Sequence, residues 1–150
     1  MMNVTIRPIE RVLETILYVD DLEAARAFYQ VVLGLELYSK KHGIFVFFKC
    51  GDGMLLLFNP EAAANNNSIP AHGTKGPGHA CFAMAETDLD GWKMRLTEHG
   101  IEIEQEVTWP NGAKSFYFRD PAGNSLELAS PKIWGFAENG PDALERRQRL

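Results

Sequence analysis

The stretch Arg119-Asp120-Pro121-Ala122-Gly123-Asn124-Ser125-Leu126-Glu127-Leu128 reads as strand, tight turn, strand. Asp120-Pro121 opens the turn, Gly123 supplies a positive φ, and Ser125 to Leu128 resume an extended run. One carboxylate, Glu127, stands inside the apolar strand end Leu126-Glu127-Leu128-Ala129. A carboxylate facing a core is costly unless it is paired or holds a metal. Strand alternation sends Leu126 and Leu128 one way and Glu127 the other. What Glu127 faces is therefore the question that orders the rest of the chain.

The bulk properties narrow the classes. A chain of 150 residues suits one domain and buries roughly 70% of its unfolded surface. Charged residues at 23% and apolar residues at 45% are ordinary for a globular protein. A net charge of −5 and the lack of any Lys/Arg block argue against a nucleic-acid partner. No run resembles a signal peptide or approaches a transmembrane span, so no membrane partner is expected and a cytoplasmic location is. Cys50 and Cys81 form no CxxC motif and read as reduced thiols.

Working outward, the chain shows one pattern twice. Residues 12–19 form a strand candidate. Asp20 and Glu23 have capping-box spacing, Ala25, Phe28, Tyr29, Val32 and Leu33 recur at helical intervals, and Gly34 ends the helix. Strands follow at 35–38, 44–48 and 54–58, the last two joined by the turn Cys50-Gly51-Asp52-Gly53. Residues 59–78, rich in Ala, Asn, Pro and Gly, read as a linker or lid. The order then recurs: a strand at 79–84, a helix with Leu89, Trp92 and Leu96 on its inner face and Gly100 beyond its end, then strands at 101–109, 115–118 and 125–129, with Asn111-Gly112 as a hairpin turn. The expected fold is α+β, two βαβββ repeats (about 10–59 and 79–130) within one domain spanning 1–150, with a linker at 60–78 and a tail at 131–150. Residues 141–150 read as a charged helix.

Superposing the repeats sets Glu14 opposite His79 at a shift of 65, and Phe48 opposite Phe118 at a shift of 70. The second shift puts Leu57 opposite Glu127. Both first strands thus carry an ionisable residue among apolar neighbours. Of the two last strands, one carries Glu and the other Leu.

This arrangement resembles the vicinal oxygen chelate superfamily, which includes glyoxalase I, extradiol dioxygenases, fosfomycin-resistance transferases and bleomycin-resistance proteins. The residues that carry the resemblance are Leu17-Tyr18-Val19-Asp20-Asp21-Leu22-Glu23-Ala24-Ala25-Arg26-Ala27-Phe28-Tyr29, Leu33-Gly34-Leu35, His79, and Tyr117-Phe118-Arg119-Asp120-Pro121-Ala122-Gly123-Asn124-Ser125-Leu126-Glu127. They span most of the chain, and the combination is specific where either half alone is weak. The resemblance implies a curved mixed sheet wrapped around a metal cleft, with Glu14, His79 and Glu127 as ligands of a divalent ion. It also implies a homodimer in which one unit from each subunit can complete a cleft. A fourth ligand, used by glyoxalase I enzymes, falls on Leu57, which sets this chain apart from that activity.

Two carboxylates and an imidazole suit Mn²⁺, Ni²⁺, Zn²⁺ or Mg²⁺ and also admit Fe²⁺. Three ligands leave positions for a small-molecule substrate with two vicinal oxygens. A ligand carboxylate, Glu127 or Glu14, doubles as proton acceptor. By its spacing from Glu127, Tyr117 is a substrate hydrogen-bond donor, as the resemblance implies. Tyr18 shares a face with Glu14, and Cys81 with His79, which makes both candidates for substrate contact; Cys81 also reads as a small core residue. His72 reads first as an exposed linker residue and second as a lid over the cleft, where it too would meet substrate. The expected function is a metal-dependent lyase or isomerase acting on a small metabolite. The alternatives are an Fe²⁺ extradiol-type dioxygenase and a metal-free drug-binding protein of the bleomycin-resistance type. Thiol transfer to fosfomycin ranks lower, since no Lys/Arg/Ser cluster stands ready for a phosphonate.

Overall fold

The computed structural model describes residues 6–138. Each repeat folds into its own four-stranded sheet. The first holds β1 (Glu14–Tyr18), β2 (Glu36–Lys41), β3 (Phe45–Cys50) and β4 (Gly53–Phe58) in the order β1-β4-β3-β2. The second holds β5 (His79–Ala83), β6 (Gln105–Thr108), β7 (Lys114–Arg119) and β8 (Ser125–Ala129) in the order β5-β8-β7-β6. In both sheets the first strand runs parallel to the last and the other pairings are antiparallel. The sequence repeat is thus the fold repeat, and the α+β βαβββ expectation holds.

Helix α1 (Leu22–Ala27) continues into a π-helical turn, Phe28–Val32. Its cap is Asp21, whose side chain accepts from Ala24 N at 3.0 Å, not Asp20 as the spacing suggested. The reason lies in the strand before it. Val19 N still donates to Phe58 O at 2.9 Å, so the extended segment runs on and the cap moves one residue along. Helix α2 (Pro60–Ala64) stands where the sequence suggested only a linker; Asn59 caps it and Pro60 occupies its first turn. Helix α3 (Leu89–Glu98) buries Leu89 and Leu96. Of residues 101–109 the strand proper is β6, extended at its ends by Glu104 N donating to Tyr117 O and Trp109 N to Ala113 O, each at 2.8 Å, while Ile101 and Ile103 pack against the core ahead of it. The helix expected at 141–150 lies outside the described residues.

One core joins the units. Leu17, Val19, Tyr29, Phe48 and Leu57 of the first repeat cluster with Leu96, Phe116, Phe118, Leu126 and Leu128 of the second. Each side chain of this kind contributes about 1.5–3 kcal/mol on burial, so alternate strand residues are committed to this face. The opposite faces of both sheets are left for function.

Pairing corrects the superposition of the repeats. Glu127 lies beside Cys81, and Cys81 corresponds to Ile16 at the shift of 65. Ile16 lies beside Leu56, so Leu56, not Leu57, is the counterpart of Glu127. Leu57 points into the core and is fully buried. The loop between β7 and β8 is longer than its counterpart, and a slip of one residue exchanges the two faces of a strand. Either residue is a leucine, so the departure from a four-ligand set stands.

Candidate functional site

β8 and its neighbours place four of the expected residues together. Glu127 is 5% exposed, directly opposite Tyr117 on β7 and beside Cys81 on β5. His79, at the head of β5, brings Nε2 to 3.4 Å from Glu127 Oε2. Its ring lies near-parallel to that of Tyr117, with centroids 6.0 Å apart.

The tautomer of His79 follows from its second contact. Nδ1 stands 3.0 Å from the carbonyl oxygen of Ser125, which can only accept, so Nδ1 carries the proton. In the neutral ring Nε2 then presents a lone pair to the carboxylate. A charge-assisted hydrogen bond would run about 2.7–2.9 Å, so 3.4 Å is long for one. It matches two donors sharing one cation, since ligands about 2.1 Å from a metal stand roughly 3.0–3.4 Å apart at angles near 90–109°. The other carboxylate oxygen, Glu127 Oε1, is buried with no hydrogen-bond partner among the described residues. An orphaned charged oxygen beside an oriented imidazole lone pair fits a divalent ion, and the hydrogen bond from Nδ1 to a backbone carbonyl is the usual outer support of a ligating histidine.

His79 is held in register by residues that sequence reasoning passed over. Asn124 Oδ1 accepts from Gly78 N at 2.8 Å, and Ser125 N donates to Gly78 O at 2.9 Å. Asn124 Nδ2 donates to Tyr18 O at 3.0 Å, which ties β1 to the same point. Gly78 makes this approach easy: a Cβ there would lie 3.0 Å from Leu17 Cδ2 and 3.4 Å from Asn124 Oδ1, so the leucine tip would have to give by a few tenths of an ångström. The Asn-Ser pair that precedes Leu126 and Glu127 is the available signal in the sequence, although by itself it reads only as turn chemistry.

Glu14 is not part of this group. It lies exposed at the start of β1 in the other sheet, and among the described residues no three His, Cys, Asp or Glu side chains gather as a metal site. Its row runs Glu14–Met54–Lys49 across β1, β4 and β3. The next row on that face is Ile16–Leu56–Phe47, and the third is Tyr18–Phe58–Phe45. His72 folds onto the third row. Its ring meets Phe58 edge-on at 4.8 Å, its Nδ1 shares a hydrogen bond with the Tyr18 hydroxyl, and its own N–H donates to Ala63 O at 3.3 Å. The linker histidine is therefore half-buried over the first sheet, with Tyr18, and stands apart from the His79 cluster.

The electrostatics sort the neighbours. Burial, and then the Glu127 carboxylate, raise the Tyr117 phenol above its ordinary value, so it stays protonated and donates. Burial, and then Glu127, push the Cys81 thiol up to about 12, and burial raises Cys50. Both thiols line a cavity of about 400 Å³ with His79 and Leu13. The thiol that faces Glu127 keeps its proton at neutral pH, which makes Cys81 a poor nucleophile in the metal-free protein. In metal-free protein at pH 8, Cys81 is expected to react with iodoacetamide on the order of a hundredfold more slowly than a free thiol. Mass spectrometry of the labelled peptide checks this, and labelling at the free-thiol rate would refute it.

A sequence model of the glyoxalase/bleomycin resistance protein/dioxygenase superfamily matches residues 10–128. The chain belongs to this superfamily. Among superfamily relatives, it is 33% identical over 112 residues to the glutathione transferase FosA of Serratia marcescens, covering 75% of this chain and 74% of that one. A crystal structure of a lactoylglutathione lyase from Agrobacterium tumefaciens superposes with a TM-score of 0.84 at 50% identity, over 87% of this chain and 100% of the other. A glyoxalase/bleomycin resistance protein/dioxygenase from Nocardioides superposes with a TM-score of 0.67 at 26% identity, over 85% and 86%. Within the superfamily fold, then, this chain carries a His79–Glu127–Tyr117 cluster on the second sheet and an aromatic face on the first. No helix among the described residues is long and apolar enough to cross a membrane.

Proposed function

We propose that this chain is a divalent-metal-dependent enzyme of the lyase or isomerase type, acting on a small metabolite with vicinal oxygens. The observation that carries the reading is the pair His79 Nε2 and Glu127 Oε2, 3.4 Å apart, beside the unpartnered Oε1. His79 and Glu127 would hold the ion, with Glu14 as third ligand. Glu14 sits on the other sheet and outside the cluster, which favours its being supplied by a second copy of the chain in a homodimer. Mn²⁺, Ni²⁺, Zn²⁺, Mg²⁺ and Fe²⁺ all accept such a donor set. When bound, the ion supplies Lewis acidity to the substrate oxygens.

The chain's own residues would do the rest. Tyr117, kept protonated by burial and by Glu127, donates a hydrogen bond to a substrate oxygen as charge develops there. Glu127 Oε1, with no protein donor of its own, accepts the substrate proton. Ser125 O fixes the His79 ring. The names of two relatives both refer to glutathione, so glutathione conjugates are the first compounds to test.

The test uses elemental analysis, sedimentation and mixing. Wild type is expected to take up a divalent ion and to sediment as a dimer. Glu14→Ala and His79→Ala should each lose at least tenfold in metal affinity. Unfolding and refolding the two variants together should restore one intact site in mixed dimers, because one chain then offers Glu14 and the other His79 and Glu127. A wild-type protein that binds no divalent ion sinks the metalloenzyme reading. Recovery of nothing on mixing sinks the shared site. Oxygen uptake with a catechol would turn the assignment to a dioxygenase.

A further inference from the structure

The open face of the second sheet carries a further row behind the His79–Glu127–Tyr117 cluster. Strand pairing sets Ser115 between Ala129 and Val107, next to the row of Glu127, Tyr117 and Gln105 and on the same face. The opposite face is committed to the core through Phe116, Phe118, Leu126 and Leu128. Ser115 is therefore a hydroxyl on the substrate side of the sheet, and it is only 3% exposed. A hydroxyl buried there needs partners. One is Trp109, whose Nε1–H donates to Ser115 Oγ at 3.0 Å. The β6–β7 hairpin holds the indole in place. Trp109 N donates to Ala113 O and Gly112 N to Trp109 O, each at 2.8 Å. Asn111 Nδ2 ties the hairpin tip to Lys132 O at 2.8 Å.

An indole N–H can only donate, so it takes a lone pair of Ser115 Oγ and leaves the hydroxyl proton to point elsewhere. Two residues on along β7, on the same face, stands Tyr117. Burial first, and then Glu127, raise the Tyr117 phenol, while the Ser115 hydroxyl acts on it in the opposite sense. That is the sign of a group donating to the phenol oxygen; one accepting from the phenol would raise it. We infer that Ser115 is a positioning residue for Tyr117, with Trp109 Nε1–H, Ser115 Oγ–H and Tyr117 Oη–H running head to tail toward the substrate oxygen. This rests on the proposed reading of Tyr117 as the substrate donor. Each hydrogen bond in such a chain polarises the next, so the phenol becomes a stronger donor than it is alone. The order also sets a direction. With its oxygen already accepting from Ser115, Tyr117 turns its proton toward the open site. The chain orients Tyr117 and transfers no proton.

Two measurements on the full chain test this, and the first needs no metal. In the nuclear magnetic resonance spectrum of metal-free protein, Tyr117→Phe is expected to shift the Trp109 indole N–H signal and to leave those of Trp92 and Trp134 in place. Phenylalanine keeps the ring, so only the hydroxyl is lost. Ser115→Ala should shift the Trp109 signal further and speed its exchange with solvent about tenfold. Ser115→Thr, which keeps the hydroxyl, should restore both. A Trp109 signal indifferent to Tyr117→Phe overturns the inference. The second measurement titrates acetohydroxamate, a probe with two vicinal oxygens, into metal-loaded protein. Ser115→Ala should weaken binding about three- to tenfold when Tyr117 is present, and less than about twofold in the Tyr117→Phe background. An equal loss in both backgrounds marks Ser115 as structural and overturns the inference. So does a Tyr117→Phe variant that binds the probe as wild type does. If no ion is taken up, the metal reading fails by itself, and the indole measurement alone decides whether the chain exists.

Discussion

Replacing Glu127 with Leu is expected to stabilise the metal-free protein and to abolish its response to metal. Glu127 is 5% exposed, and its Oε1 has no partner among the described residues. An unsatisfied buried acceptor of this kind costs about 1–3 kcal/mol, more when charged. Removing the interaction with His79 offsets little of that gain, because the imidazole is 48% exposed at 3.4 Å and exposed pairs contribute about 0–1 kcal/mol. Leucine adds a third apolar residue to the run from Leu126 to Leu128 without an orphaned oxygen. Urea unfolding without metal should therefore show Glu127→Leu more stable by about 1–3 kcal/mol. At a hundredfold excess over Kd the wild type gains about 2.7 kcal/mol from metal, and the variant gains none. The two stability rankings cross as metal is added. A carboxylate kept for structure would instead make the variant less stable under both conditions, and that result would remove Glu127 from the site.

The same residue shows how far the sequence can be read. Glu127 is conspicuous because a charge among Leu126, Leu128 and Ala129 demands a reason, and His79 becomes visible as the counterpart of Glu14 in the repeat. Their proximity is a property of parallel pairing between β5 and β8, which the order of elements implies. What stays hidden depends on three-dimensional detail. The counterpart of Glu127 is misplaced by one residue because turn lengths differ between the repeats, and length differences inside a turn do not show in hydrophobic pattern. Helix α2 is masked by an Ala/Asn-rich composition, although Asn59-Pro60-Glu61 carries the cap, the first-turn proline and an acidic first turn. His72 cannot be placed from pattern at all, since its hydrogen bond with Tyr18 alone spans 54 residues. Glu14 is legible as a strand residue, but which chain's cluster it serves is a question of assembly that periodicity cannot address.

Asp120→Ala is expected to be the most destabilising single change, at about 3–5 kcal/mol. Asp120 is buried, at 4% exposure, where the two repeats meet. It accepts four hydrogen bonds: from Tyr29 Oη at 2.8 Å, Ala122 N at 2.9 Å, Asn124 N at 2.8 Å and Asn124 Nδ2 at 2.9 Å. Alanine leaves those donors in a dry site, where each orphan costs more than the net worth of its bond. Asp120→Asn keeps the shape but turns a donor toward donors, and should cost about 1–3 kcal/mol. Tyr29→Phe tests the link between repeats through pH. Burial first, and Asp120 second, raise the Tyr29 phenol well above its ordinary value. The native state thus holds this proton where the unfolded chain, titrating near 10, has released it. The stabilisation is present below about pH 10 and lost as pH rises beyond it. Tyr29→Phe should flatten that alkaline decline in part, with Tyr18 and Tyr117 retaining their own smaller contributions. Because Asp120 also orients Asn124, and Asn124 holds Gly78 beside His79, Asp120→Ala should weaken metal uptake in the molecules that remain folded. A loss below about 1 kcal/mol by urea unfolding, with metal affinity unchanged, would show that the hairpin turn is local chemistry and not the joint that sets His79 against Glu127.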